Sequence, residues 1–116
     1  MNKYRVVFHL SEPSKVRVAQ VFRNIDNLLD DMSENNVEVK LVANGDGVKA
    51  LVKGPDSHAE HVGRLAARGV LFAVCAHSLS QLEIVRDTLM APVEVVSSGV
   101  GELVKKQVEG WAYIRP

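Results

Sequence analysis

Cys75 is the only cysteine in the 116-residue chain. One thiol closes no intramolecular disulfide, builds no Cys-rich zinc site and forms no C-x-x-C redox pair. Its scarcity fits a reducing compartment, so the expected location is cytoplasmic. There is also no excess of either charge: 14 Lys and Arg balance 14 Asp and Glu, for a formal net charge of +0. Nucleic-acid binders gather a basic surplus on one face. Here the only adjacent basic pair is Lys105–Lys106, and nucleic acid is not an expected partner. No apolar run approaches the ~20 residues that span a bilayer. The opening MNKYRVVFHLSEP breaks its apolar stretch at His9 and carries no cleavage pattern, so neither secretion nor membrane insertion is expected.

Further absences narrow the chemistry. The Gly45-Asp46-Gly47 turn is not a G-x-G-x-x-G fingerprint, so no nicotinamide or flavin is indicated and no cofactor is assigned. A phosphatase- or rhodanese-like loop follows its cysteine with an arginine that binds the anionic group, yet no Arg or Lys occurs between Cys75 and Arg86. A phosphoacceptor aspartate is missing where Cys75 stands. His58 and His61 lie three apart with Glu60 between them, but no third ligand is identifiable and no metal is assigned.

What is present is ordinary globular material, 47% hydrophobic and 24% charged, in a length that suits one domain over 1–116. A domain this small often covers residual apolar surface by oligomerising. Tyr4 to Leu10 reads as a buried strand. Val18, Val21, Phe22, Ile25, Leu28, Leu29 and Met32 then share one helical face, with Ser11 or Ser14 as cap and Ser33 to Asn36 as the stop. Val37 to Ala43 alternates apolar and charged residues, which predicts a strand near the sheet edge. A short helical turn at Val48 to Val52 and the Gly54-Pro55-Asp56 break lead to a helix from Ser57 to Arg68, closed by Gly69. Val70 to Cys75 is almost wholly apolar, as expected of a central strand. Ser80 and Glu83 have capping-box spacing for a short helix beginning a few residues after Cys75. Val93 to Val96, a helix around Leu103 to Val108, and a strand from Trp111 to Ile114 complete the chain.

Strands alternating with helices predict an α/β three-layer sandwich: a mostly parallel five-stranded sheet with helices on both faces. Ligands of such sheets bind beyond the carboxyl ends of the strands. That rule singles out the loops Ser11 to Ser14, Asn44 to Gly47, Cys75 to Ser78 and Ser97 to Gly101. Cys75 is the candidate nucleophile, because a helix start or a neighbouring cation favours thiolate. Its bland alternative is a small buried hydrophobe at a strand end. His77 and His9 are candidates to stabilise that thiolate or relay a proton, or to act as base in a cysteine hydrolase; each reads equally as a loop or rim histidine. Asn44, Gly45, Ser78, Ser98 and Gly99 are candidate ligand-binding positions through hydroxyl or backbone donors, although turn formation also explains them.

The segments YRVVFHL, VANGDGV, GVLFAVCAHSL and VEVVSSGVGELVKKQVEGWAYIRP resemble the DsrE/DsrF-like family over nearly the whole chain. Better-understood members of that family carry persulfide sulfur in bacterial sulfur relays and sulfur oxidation. The closing segment is similar to that of a single-domain branch also known from archaea. The resemblance implies the α/β fold and a homotrimer, or a hexamer built from two trimers. It also implies a sulfur-carrying cysteine after a central strand, where Cys75 stands, although Ala76-His77-Ser78 follow it here. The leading expectation is a sulfur carrier or sulfurtransferase-like protein with a donor or acceptor protein as partner. One sulfur suffices for a carrier, whereas a thioredoxin-type enzyme needs a resolving cysteine. The rival is a noncatalytic oligomeric ligand- or protein-binding module in which Cys75 is structural. In either case Trp111, Tyr113 and Ile114, aromatic and apolar at an edge, are expected to contribute to an interface between subunits.

Overall fold

The computed structural model describes residues 3–55 and 57–116, so Asp56 of the Gly54-Pro55-Asp56 break lies outside the described residues. Strand β1 (Tyr4–Leu10) leads to helix α1 (Lys15–Met32), then to β2 (Val37–Ala43), a 3-10 helix (Gly45–Leu51) and α2 (Ala59–Ala67). After these come β3 (Leu71–Cys75), α3 (Ala76–Gln81), a 3-10 turn (Arg86–Thr88), β4 (Val93–Val96), α4 (Gly99–Val108) and β5 (Ala112–Ile114). The five strands form one sheet in the order β4-β3-β2-β1-β5, with every neighbouring pair parallel.

Local chemistry explains the boundaries. Ser14 caps α1, its Oγ accepting the Arg17 N–H at 3.2 Å. The helix stops at Ser33, which takes a left-handed φ of 72°. Its stripe of Val18, Val21, Phe22, Ile25 and Leu29 is buried. Gly69, with φ +94°, lets the chain turn from α2 into β3.

Strand periodicity sorts the core into two layers. Val6, Phe8 and Leu10, Val39 and Leu41, and Phe72 and Val74 pack with α1 and α2 in the larger cluster. Val7, Val42 and Ala73 face the other way and pack with Leu103 of α4 and with Trp111. The order of strands accounts for this division. From β1 to β4 the chain steps across the sheet in one direction, which for right-handed crossovers keeps the connections on one face. The α4 connection must return from the β4 edge to β5 at the opposite edge, and it covers the second face.

Three expectations are corrected. β2 lies in the middle of the sheet, not near its edge, and Lys40, one of the charges in its alternation, is buried. β3 is interior but one strand from the edge. The short helix begins at Ala76 directly after Cys75; Ser80 and Glu83 close it, Ser80 O accepting the Glu83 N–H at 3.2 Å and Glu83 taking φ 55°.

Candidate functional site

In a parallel sheet the natural crevice lies where successive connections leave for opposite faces. Here that is the carboxyl edge between β3, followed by α3, and β4, followed by α4. Cys75 ends β3 at this point and is also the N-cap residue of α3. Alternation puts it on the same face as Ala73, toward α4. The Ser78 hydroxyl and the backbone N–H groups of Gly99, Ser78 and His77 are the donor groups that lie around its sulfur. Burial pushes the thiol pKa up, but these four donors, each favouring the anion, outweigh it and leave the thiol below its ordinary value.

The donors are themselves held in place. Ser78 is buried, and its Oγ accepts the Gly45 N–H at 2.7 Å, which fixes the hydroxyl in place. Gly99, the first residue of α4, lies so close to β2 and β3 that a Cβ there would sit 3.0 Å from Asn44 Cβ and 3.1 Å from Cys75 Cβ. Glycine is what allows the α4 amide to reach the thiol.

Asn44 is bonded in turn to His9: the imidazole Nε2 and Asn44 Oδ1 are 2.7 Å apart, and Nδ1 lies 2.6 Å from the Tyr113 hydroxyl. With the amide oxygen accepting, Nε2–H is the donor, and the neutral ring then accepts the Tyr113 proton at Nδ1. Tyr113, read from sequence as an interface residue, is thus part of a Tyr113–His9–Asn44 chain that ends beside Gly99 and Cys75. No local pattern reveals this, since 104 residues separate His9 from Tyr113.

Other candidates fall differently. The His77 side chain is exposed, and its backbone N–H is what reaches the sulfur. The Ser98 hydroxyl is engaged in capping α4, accepting the Gly101 N–H at 3.0 Å. His61 Nε2 lies 2.6 Å from Asp26 Oδ2, and His58 packs edge-on against Phe22. Among the described residues no group of three or more His, Cys, Asp or Glu could hold a metal ion. A cavity of about 250 Å³ opens beside His9 and is lined also by Ser11, Glu12, Arg17 and Arg115; Cys75 is not part of its wall. Beneath α4, Lys40 Nζ lies 2.7 Å from both Glu94 Oε1 and Glu102 Oε2, a cluster that sequence separations of 54 and 62 residues conceal. No helix among the described residues is long and apolar enough to cross a membrane.

The model of the DsrE/DsrF-like family matches residues 6–116. No curated protein matches the chain. Among solved structures, a protein of unknown function, MTH1491 from Methanobacterium thermoautotrophicum, is 42% identical with a TM-score of 0.91, over 98% of this chain and 100% of its own. The ychN protein from E. coli shares the fold at a TM-score of 0.79, with 17% identity over the full length of both chains.

Proposed function

The chain belongs to the DsrE/DsrF-like family, and from that premise we propose that it is a sulfur carrier whose Cys75 accepts and passes on sulfane sulfur. The observation that carries this reading is the placement of one thiol at the switch point of the sheet, at the start of α3 and packed against Gly99 at the start of α4, among donor groups that lower its pKa. Such a setting favours the thiolate, which is the attacking species. The Cys75 thiolate attacks the outer sulfur of a donor persulfide. A bond forms between that sulfur and Sγ, the donor's S–S bond breaks, and the donor leaves as a thiolate with the electron pair. The proton stays with the transferred sulfur, and no external oxidant or reductant is consumed. The same donors then surround the Cys75 persulfide. In this reading the chain is one domain over 1–116 that acts in the cytoplasm as a homotrimer or a hexamer built from two trimers. Exposed Val100, Val104 and Val108 along α4 and exposed Ile114 on β5 are apolar surface for neighbouring subunits to cover.

One observation favours a second reading, a noncatalytic binding module: Cys75 is only 6% exposed. Two measurements separate them. Incubated with a persulfide donor, the wild type is expected to gain the mass of one sulfur on Cys75, and Cys75→Ser is not. Failure to load under conditions that load a known carrier, with alkylation blocked until denaturation, would establish the structural role instead.

A further inference from the structure

Lys40 is buried and Glu102 largely covered, their side chains 7% and 12% exposed, and both belong to the face that carries Cys75. Glu102 lies one turn into α4 from Gly99, on the side of the helix that meets the sheet, next to buried Leu103. We propose that the Lys40–Glu102 ion pair is a positioning element for the thiol: it draws the first turn of α4 onto the sheet and holds the Gly99 N–H against Cys75. This rests on the reading of Cys75 as a working thiolate.

The tight fit of Gly99 is what makes such an anchor necessary. A methyl group there would press on Asn44 and Cys75 at 3.0 and 3.1 Å, closer than ordinary packing, so a small lift of α4 separates the amide from the sulfur. Ser98 caps the helix but ties it only to its own first turn. Lys40 ties it to the central strand. The ammonium also bridges to Glu94, which is more than half exposed, so the cluster holds β2, β4 and α4 together.

The charge balance argues for positioning over a direct field. Glu102 is a carboxylate held between two ammoniums, Lys40 at 2.7 Å and Lys106 at 4.0 Å, and its own negative charge can only disfavour a nearby thiolate. The other charged or titratable groups on the elements packed around the thiol are Tyr4, Arg5 and His9 on β1, Glu38 on β2, Asp46 and Lys49 on the 3-10 helix, His77 on α3, and Lys105 and Lys106 on α4. None of these is the sulfur's hydrogen-bond donor through its side chain.

The two mechanisms predict opposite signs. If Glu102 acts through its charge, Glu102→Ala lowers the pH midpoint of Cys75 alkylation by iodoacetamide. If it anchors α4, the midpoint rises by about one pH unit, with roughly tenfold slower alkylation below it. The expected result is the rise. Glu94→Ala, which leaves the Lys40–Glu102 pair intact, is expected not to raise the midpoint, and an equal rise there would overturn the proposal. Glu102→Gln keeps an acceptor for Lys40 in case the alanine variant does not fold; its midpoint is expected above wild type and below alanine. A midpoint at or below wild type in either folded Glu102 variant overturns the inference. If the wild-type thiol itself titrates at the ordinary value, the thiolate reading and this inference fall together. If the wild type is depressed but Glu102→Ala is equally so, the positioning role alone fails.

Discussion

The two faces of the sheet are built on different principles. On one, α1 and α2 cover the strands with a continuous apolar layer in which Phe22, Ile25, Leu41, Leu65 and Phe72 are fully buried. Its charges stay at the rim, where Arg68 spans Asp26 at 3.2 Å, Asp30 at 2.7 Å and Glu34 at 2.5 Å. On the other face a single helix covers the sheet over a small apolar cluster. A buried ion cluster, a thiol and a histidine share that face. One helix leaves polar strand positions partly solvated and within reach of one another, whereas two helices exclude them. The stability of the fold thus resides mostly in the first face and its candidate chemistry in the second.

The largest expected effect tests the apolar face. Phe22 is fully buried and meets Phe72 edge-on at 6.4 Å between centroids. Phe22→Ala should cost about 3–5 kcal/mol by the removal of transfer energy and the cavity left behind. Chemical denaturation measures the loss. In the fraction that remains folded, the pH midpoint of Cys75 alkylation should stay at its wild-type value; a shift there would mean that the two faces are not independent.

The same division explains what was legible in the sequence. β1 and β2 were delimited correctly at Tyr4–Leu10 and Val37–Ala43, because runs and alternation are local signals. The α1 stripe followed from its spacing for the same reason. The second face misled. Glu38 and Lys40 produced an alternation that reads as an edge strand, since the partners neutralising Lys40 lie far along the chain. Strand ends in a parallel sheet gather their loops, which points to Cys75, Asn44, Gly45, Ser78 and Gly99, and these residues do come together. His77 and Ser98 were selected by the same rule, but the His77 ring points to solvent exposure and the Ser98 hydroxyl to a cap. Trp111 and Tyr113 were grouped as an edge, yet they divide: Trp111 is only 8% exposed, beneath α4 in its own chain, while Tyr113 bonds His9.

The next effect in size separates the faces from the other side. Gly99→Ala places a methyl group against Asn44 and Cys75, an overpacking expected to cost about 1–3 kcal/mol. It should also lift the Gly99 amide from the sulfur. The wild-type thiol pKa is depressed by the fold. Its linkage contribution is therefore fully present above the ordinary thiol value and is lost as pH falls through the folded value. Wild type should accordingly gain stability relative to Cys75→Ser as pH rises through that window, and in the Gly99→Ala background this gain should shrink. Denaturation of the four proteins across that pH range measures it. An undiminished gain would show that the Gly99 donor is dispensable.

The smallest expected effect concerns Trp111. Its indole Nε1 is buried with no hydrogen-bond partner among the described residues, while its ring lies 4.9 Å from the Lys106 ammonium. An unpaired buried donor costs about 1–3 kcal/mol of desolvation, and a cation over an aromatic ring returns about 0.5–1 kcal/mol, part of which phenylalanine retains. Trp111→Phe therefore removes a penalty along with some packing area, and the two nearly offset. The change should be within about 1 kcal/mol of wild type, against about 3–5 kcal/mol for Trp111→Ala, which empties the small cluster under α4. Because Trp111 is covered by its own chain, Trp111→Phe should leave the mass measured by light scattering unchanged. If phenylalanine costs as much as alanine, or if the assembled mass falls, the indole N–H has a partner on another subunit and the α4 face is completed by assembly.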